Sequence, residues 1–535
     1  MHFPPKNYFR KDDALPAESK LPTNGFRIEF GDTPIITADT PAAKYYAEAY
    51  LVSAAASEKP PARGDVVVDW PTIEHRGFML DVSRNRVPTM KWLKWLIDCL
   101  ALLRYNELQL YTEHTFAYAE HKTVWKNASP FTSEEIQTLD QYCSERHIEL
   151  VPNQNTFGHM ERWLRHPEYK HLAESPDGFL HPISGPRPFG STLYPCRESL
   201  DFIGSLLEEL SPNFSSKQIH IGGDEPWELG QGRSKTAVAE RGKHAVYLEY
   251  VNKVCAHALA YDKIPQLWAD VIMERPDLVG ELPPNLIPVI WGYEADSPFD
   301  TQAGIVAKAG YTNQFYLAPG AGTWNSFGGR LDVARANIQN AVHAARKHGA
   351  SGLLLTAWGD NGHHQSYATL FPPLILQAQA AWGIPLSEKD ELAQEIDAVF
   401  FPDSASPQGS ILCALGEIDA LLPQPAPPNS FLNSALFASS EKLETLCHSI
   451  SAEDCLSILE KLEALSTQQL DSQTKLALNL NRFAAERCLA HFNHIPFSSA
   501  SVPETILEAF KSVWLKDSRP GGLDESLDYF AALPN

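Results

Sequence analysis

The chain has 535 residues, too many for one ordinary core, and reads as one large domain with smaller additions. At 44% hydrophobic and 21% charged it has the balance of a globular protein, neither disordered nor fibrous. Its 44 basic residues stand against 66 acidic ones, and the resulting charge of −22 repels phosphate backbones and anionic lipid, which argues against nucleic-acid and membrane partners.

The N-terminal stretch Met1–Lys6 lacks the apolar core of a secretory signal, and no apolar run is long enough to span a bilayer. The expected location is therefore cytoplasmic. Eight scattered cysteines never form a C-x-x-C pair and read as reduced, mostly buried thiols. Residues 1–70 carry strand-like and helical pieces (Phe26–Phe30, Ala42–Ala56) and read as a small N-terminal α+β cap.

From about Pro71 short apolar runs alternate with helical patterns. Gly77–Val82 reads as a buried strand, followed by a helix opened by Pro88 with Leu93, Leu96, Ile97, Leu100 and Leu103 at helical spacing. Further strands are expected at Leu108–Tyr111, Ile148–Val151, Ile219–Ile221, Gln266–Trp268, Pro288–Trp291, Gln314–Leu317 and Gly352–Thr356. Helical patterns separate them, among them Ser133–Arg146, whose Thr132 and Glu135 make a capping box, and Leu331–His348. Eight strands alternating with helices over residues 71–385 predict an α/β fold, a (β/α)8 TIM barrel. The competing doubly wound sheet lacks a G-x-G-x-x-G after its first strand. Residues 386–535 turn helical, interrupted by the proline run Pro423–Pro428. This C-terminal region either packs on the barrel or makes a homodimer contact; the sequence leaves both open.

Chemistry in such a barrel sits at the C-terminal ends of the strands. The fourth strand runs into Gly222-Gly223-Asp224-Glu225, where adjacent carboxylates repel and one should gain a raised pKa, as a general acid requires. Taken alone, two such acids more readily read as caps of a helix near Pro226. Three other strand ends finish in tryptophan: Trp268-Ala269-Asp270, Trp291-Gly292-Tyr293-Glu294 and Trp358-Gly359-Asp360. Aromatic rings beside carboxylates suit a sugar, whose faces stack while its hydroxyls need polar partners. Arg84, past the first strand, suits two neighbouring hydroxyls or a structural ion pair. The histidines, including His363-His364, show no metal-ligand spacing, so no metal and no cofactor are expected.

These motifs resemble the family 20 glycoside hydrolases, mostly β-N-acetylhexosaminidases, over about His75–Gly383. The most specific match is His220-Ile221-Gly222-Gly223-Asp224-Glu225, like the family's H-x-G-G-D-E. Arg76–Arg84 is similar to its first strand, Phe157-Gly158-His159 to its P-G-H, and Tyr316-Leu317 to its Y-L pair. The resemblance implies a small carbohydrate or glycoconjugate substrate and substrate-assisted catalysis. Glu225 would be the general acid, and Asp224 would orient the substrate's 2-acetamido group. Tyr316 would donate to the acetamide oxygen, while Arg84 and Asp360 would hold the outer hydroxyls. Trp268, Trp291 and Trp358 would enclose the sugar, and His159 would support Glu225 together with Glu113. Asp270 and Trp324 complete the expected substrate-binding set.

The departures bear on which sugar is taken. Ala318 stands where the family has Asp or Asn, and the unusual loop Pro319–Asn325, which holds Trp324, is the alternative source of that contact. Glu113-His114 replaces a pair of aspartates, Asn153 replaces an acid, and Asp360 a glutamate. The cap is also shorter than the family's usual accessory domain. Two alternatives to a substrate-assisted enzyme are a non-catalytic sugar-binding barrel and a glycosidase with two enzyme carboxylates, using Asp270 or Asp360 as nucleophile.

Overall fold

The computed structural model describes residues 21–55, 61–182, 185–423, 428–497 and 502–533. The segment Met1–Lys6 and most of the proline run Pro423–Pro428 lie outside the described residues. Three antiparallel strands, β1 (Phe26–Glu29), β2 (Ile35–Ala38) and β3 (Val66–Asp69), form a small sheet with helix Pro41–Ala55 beside it. Phe26, Ile28 and Tyr46 of this unit belong to the same apolar core as the barrel helices, and the Tyr46 ring meets Trp382 edge-on at 5.4 Å.

The barrel is closed by eight parallel strands, β4 (His75–Asp81), β5 (Glu107–Thr112), β6 (Glu149–Gln154), β9 (Gln218–His220), β10 (Ile264–Trp268), β11 (Ile287–Gly292), β12 (Tyr316–Pro319) and β13 (Gly352–Ala357). β13 returns to pair with β4, so no edge remains. Between β6 and β9 a two-stranded hairpin, β7 (Phe179–His181) and β8 (Gly185–Arg187), stands outside the barrel. All eight expected barrel strands are present. Helix Met90–Leu102 starts from Thr89, whose side chain accepts the Trp92 N–H, a residue past the proline that signals it. Thr132 and Glu135 form the expected capping box.

One strand is displaced, with consequences for the site. The apolar pattern places it at Gln314–Leu317, but the ladder runs from Tyr316 to Pro319, two residues later. Tyr316 therefore opens β12 at the N-terminal end of the barrel. Inside, that end is polar: the buried Glu107 carboxylate accepts from Gln109 and from the Tyr316 hydroxyl at 2.9 Å. Above this layer come Met79, Val289 and Leu354, and then the aromatic groups of Tyr111, Trp268 and Trp358.

The C-terminal region is helical and has a core of its own, including Phe431, Leu462, Leu480, Phe510, Trp514 and Phe530. Its last part packs on the barrel. The Thr89 N–H donates to Asp517, and Arg86 donates to the Ser518 hydroxyl and the Gln365 carbonyl. All eight cysteines are free thiols and seven are buried. Among the described residues no helix is long and apolar enough to cross a membrane.

Candidate active site

β9 ends at His220, and the next residues turn sharply across the barrel mouth. Gly222 and Gly223 have φ of 69° and 92°, and Glu225 itself has φ of 45°. A Cβ on Gly222 would stand 2.1 Å from Asn155 Oδ1, and one on Gly158 would stand 2.4 Å from the Asp224 carbonyl oxygen. The loops after β6 and β9 are thus in backbone contact, which brings His159 onto the acids. No helix starts at Pro226; the next begins at Lys235, so helix capping does not account for the two acids. His220 is structural. Burial lowers its pKa to about 3, its neutral Nδ1 accepts the Gly222 N–H, and its ring lies 4.2 Å from that of Trp268.

The adjacent acids are electrostatically unlike. Burial alone would raise both. Asp224, however, holds His159 Nε2 at 3.1 Å and falls below its ordinary value, whereas Glu225 is 3.6 Å from the same nitrogen and stays above its own. Burial works against the His159 imidazolium, but Asp224 more than offsets it and lifts that pKa to about 10. His159 is therefore bound to Asp224 more closely than to the Glu225 it was expected to support. Asp224 Oδ1 is buried and has no hydrogen-bond partner in the protein. Asp270, pushed up to about 7 by burial and then by Asp224, accepts the Glu225 N–H at 3.2 Å.

The guanidinium carbon of Arg84 lies 4.7 Å from the centre of the Tyr111 ring and 5.1 Å from that of Trp358, two rings that meet edge-on. Its Nε reaches Glu113 at 2.9 Å, its Nη1 reaches Asp81 at 3.0 Å, and Asp360 stands 3.9 Å away. Glu113, raised by burial to about 7, serves Arg84 and the Tyr111 hydroxyl and is linked to His159 through Arg84, whose Nη2 lies 3.3 Å from His159 Nδ1. Asp360 is the more open carboxylate, with 36% of its side chain exposed.

Trp268 and Trp358 close the barrel interior, and Trp291 stands at the rim stacked on Tyr293 with centroids 5.0 Å apart. Trp324 is buried and meets Tyr293 edge-on at 5.1 Å, behind the box, so the loop Pro319–Asn325 supplies a wall to Tyr293. Ala318 is fully buried below it.

Tyr316 does not belong to this group, because its hydroxyl is committed to Glu107 at the opposite end of the barrel. The tyrosine at the mouth is Tyr293, whose hydroxyl lies beside Thr356 and Trp358 in the fields of Asp224 and Glu225. Burial keeps it protonated and hence a donor. Its signal was present in Trp291-Gly292-Tyr293. Asp81 and Asn155 were also missed. Asp81 accepts from the backbone of Ser83, Arg84 and Gly359, which fastens the loops after β4 and β13, and Asn155 donates to the Tyr111 hydroxyl at 2.6 Å. Asp81 closes β4 inside the Arg76–Arg84 match, where a signal was available, whereas Asn155 follows β6 without any motif that separates it from an ordinary loop residue.

The sequence model of Glycosyl hydrolase family 20, catalytic domain, matches residues 73–346, half of the chain. Hexosaminidase D of Bos taurus is 24% identical over 311 residues, covering 53% of this chain and 84% of its own. Hexosaminidase D of Homo sapiens is 24% identical over 310 residues, covering 53% of this chain and 60% of its own. Among solved structures, a Flavobacterium johnsoniae chitobiase has the same fold, with a TM-score of 0.59 at 14% identity over 92% of this chain and 86% of that one. With the closed barrel and the carboxylate pair at its mouth, the chain belongs to glycoside hydrolase family 20 and is a glycoside hydrolase.

Proposed function

We propose that this hydrolase is an exo-acting, retaining β-N-acetylhexosaminidase that removes terminal N-acetylglucosamine or N-acetylgalactosamine by substrate assistance. The observation that carries the reading is the division between Asp224, held ionised with one buried oxygen unpaired, and Glu225, held toward its protonated form beside it. An amide N–H is the partner that an unpaired buried carboxylate oxygen lacks.

In this reading Glu225 protonates the glycosidic oxygen as the C–O bond breaks, and the substrate's acetamide oxygen attacks the anomeric carbon. Asp224 accepts the acetamide N–H and stabilises the positive charge that develops on the oxazolinium. Tyr293, in place of Tyr316, donates to the acetamide oxygen. Glu225, now a base, takes a proton from the water that opens the ring, which returns the starting anomeric configuration. Trp268, Trp291 and Trp358 enclose the acetamide and the sugar face, while Arg84 and Asp360 bind outer hydroxyls. Asp270 is a poor nucleophile here, since its raised pKa favours the neutral form and one oxygen is committed to the Glu225 N–H.

The test is a panel of aryl β-glycosides that differ in the 2-substituent and in the 4-hydroxyl configuration. Turnover is expected only with the 2-acetamido group, together with inhibition by a thiazoline that mimics the oxazolinium. Equal turnover of plain glucosides overturns the proposal.

A further inference from the structure

The helix Leu523–Ala531 lies outside the matched family segment, yet it is bound to three loops of the barrel mouth. Arg162 holds Glu525 through two hydrogen bonds of 2.9 and 2.7 Å and also donates to Asn85 Oδ1 at 2.8 Å. Asn85 Nδ2 donates to the Ser526 hydroxyl, and His364 Nε2 meets the Ser526 carbonyl oxygen at 2.9 Å. Contact at the helix start is close enough that a Cβ on Gly522 would stand 2.0 Å from the Asn85 carbonyl oxygen. Each anchor is a near neighbour of a site residue: Asn85 follows Arg84, Arg162 lies three residues past His159, and His364 four past Asp360.

One side chain of this helix faces the rim. Tyr529 remains 36% exposed, more than a packing aromatic requires. Its ring covers Gly362, where a Cβ would come within 3.1 Å of Tyr529 Cδ2, and its inner edge rests on His364 and Phe437 at 5.0 and 5.7 Å. Gly362 is two residues beyond Asp360. The charges around the hydroxyl are Arg162, Arg187 of the outer hairpin, Glu525 and Asp360. Asp360 is the open carboxylate assigned to an outer hydroxyl, and its charge reaches the Tyr529 hydroxyl, which puts the ring on that side of the mouth.

We infer that Tyr529 is a specificity-determining residue that walls the outer-hydroxyl side of the sugar pocket and restricts the substrate to an unsubstituted terminal 2-acetamido sugar. This rests on the proposed placement of that sugar. A sulfate ester or a further sugar on the outer hydroxyl would have to displace a ring that is wedged on Gly362 and Phe437, whereas a bare hydroxyl would not.

The experiment compares an aryl 2-acetamido-β-glucoside with its 6-O-sulfate and its 4-O-glycosylated derivative, using the full chain. The wild type should discriminate against both derivatives. Tyr529→Leu keeps the packing beneath the ring; it should raise kcat/KM on the derivatives by about tenfold and raise KM on the parent by roughly threefold. Tyr529→Phe should keep the discrimination and Tyr529→Trp should sharpen it. A parallel fall on all three substrates in Tyr529→Leu means a merely structural role and overturns the inference, as does a wild type that accepts the derivatives as readily as the parent. Hydrolysis of plain glucosides would instead sink the acetamide reading, and the wall is then judged on the same substituted and unsubstituted pairs of glucosides.

Discussion

Asp224 and Glu225 are neighbours in the chain but face different partners, and that difference sets their protonation. Asp224 carries the His159 hydrogen bond and Glu225 does not, so one pKa falls while the other rises. The rate should therefore drop on the acid side as Asp224 gains a proton, below the ordinary carboxylate range. It should drop on the alkaline side as Glu225 loses its proton, above that range. Glu225→Gln should erase the alkaline limb and cost about 10²–10⁴-fold in kcat with poor leaving groups, and markedly less with nitrophenol. A pH–rate profile for each leaving group checks both points. Asp224→Asn removes the main group that raises His159 and leaves only the weaker pull of Glu225 against burial and the Arg84 charge. The His159 pKa, about 10 in the intact site, should fall below that of a free imidazole, as an NMR titration of the ring would record. At this scale the sequence was informative where a residue's position follows from its strand end, as for Arg84, Trp268 and Asp360. It misled where two tyrosines competed. Tyr316 matched a family pair, but only the barrel ladder distinguishes it from Tyr293.

Most strands were legible because they carry short apolar stretches between turn residues, as parallel strands covered on both faces do, even where Glu107, Gln109 and Gln218 put polar groups inside. Their ends were less legible, since apolar pattern does not say which residue begins the ladder. In β12 a shift of two residues keeps the same side chains facing inward, so Tyr316 and Ala318 remain interior while moving toward the barrel's N-terminal end. The contact between the loops after β6 and β9 was invisible in sequence, because it is made by backbone. Gly158 is the hinge of that contact. In Gly158→Ala the added methyl would collide with the Asp224 carbonyl, and neither loop can retreat without parting His159 from Asp224. Its kcat should fall by roughly 10²-fold, through misplacement of the acids, while far-UV circular dichroism stays unchanged. A variant with normal kcat would show that the two loops adjust independently.

For the molecule as a whole, the C-terminal helices pack on the barrel, one of the two arrangements the sequence left open. Their amphipathic pattern announced a buried face but could not name its partner. Arg86 shows how the joint is made. Its guanidinium is buried, lies 4.1 Å from the Tyr367 ring and 5.1 Å from that of Trp514, and donates to Ser518 and to the Gln365 carbonyl. One side chain therefore joins the loop after β4, the loop after β13 and the C-terminal segment. Such a cation is stable only while these acceptors and rings surround it, because burial disfavours its charge. Arg86→Ala should leave a cavity between the rings and strand the Gln365 carbonyl, at a cost of about 3 kcal/mol. If the tail and barrel unfold as one unit, urea denaturation of Arg86→Ala should show a single transition at lower midpoint with an unchanged m-value. If the joint is weak, the tail should detach first and a second transition should appear. Because the anchors of the last helix adjoin Arg84, His159 and Asp360, that early transition would carry the loss of activity with it. Activity followed through the titration therefore separates the two cases: it should decline together with the single unfolding transition, and an active barrel persisting beyond release of the tail would refute the coupling.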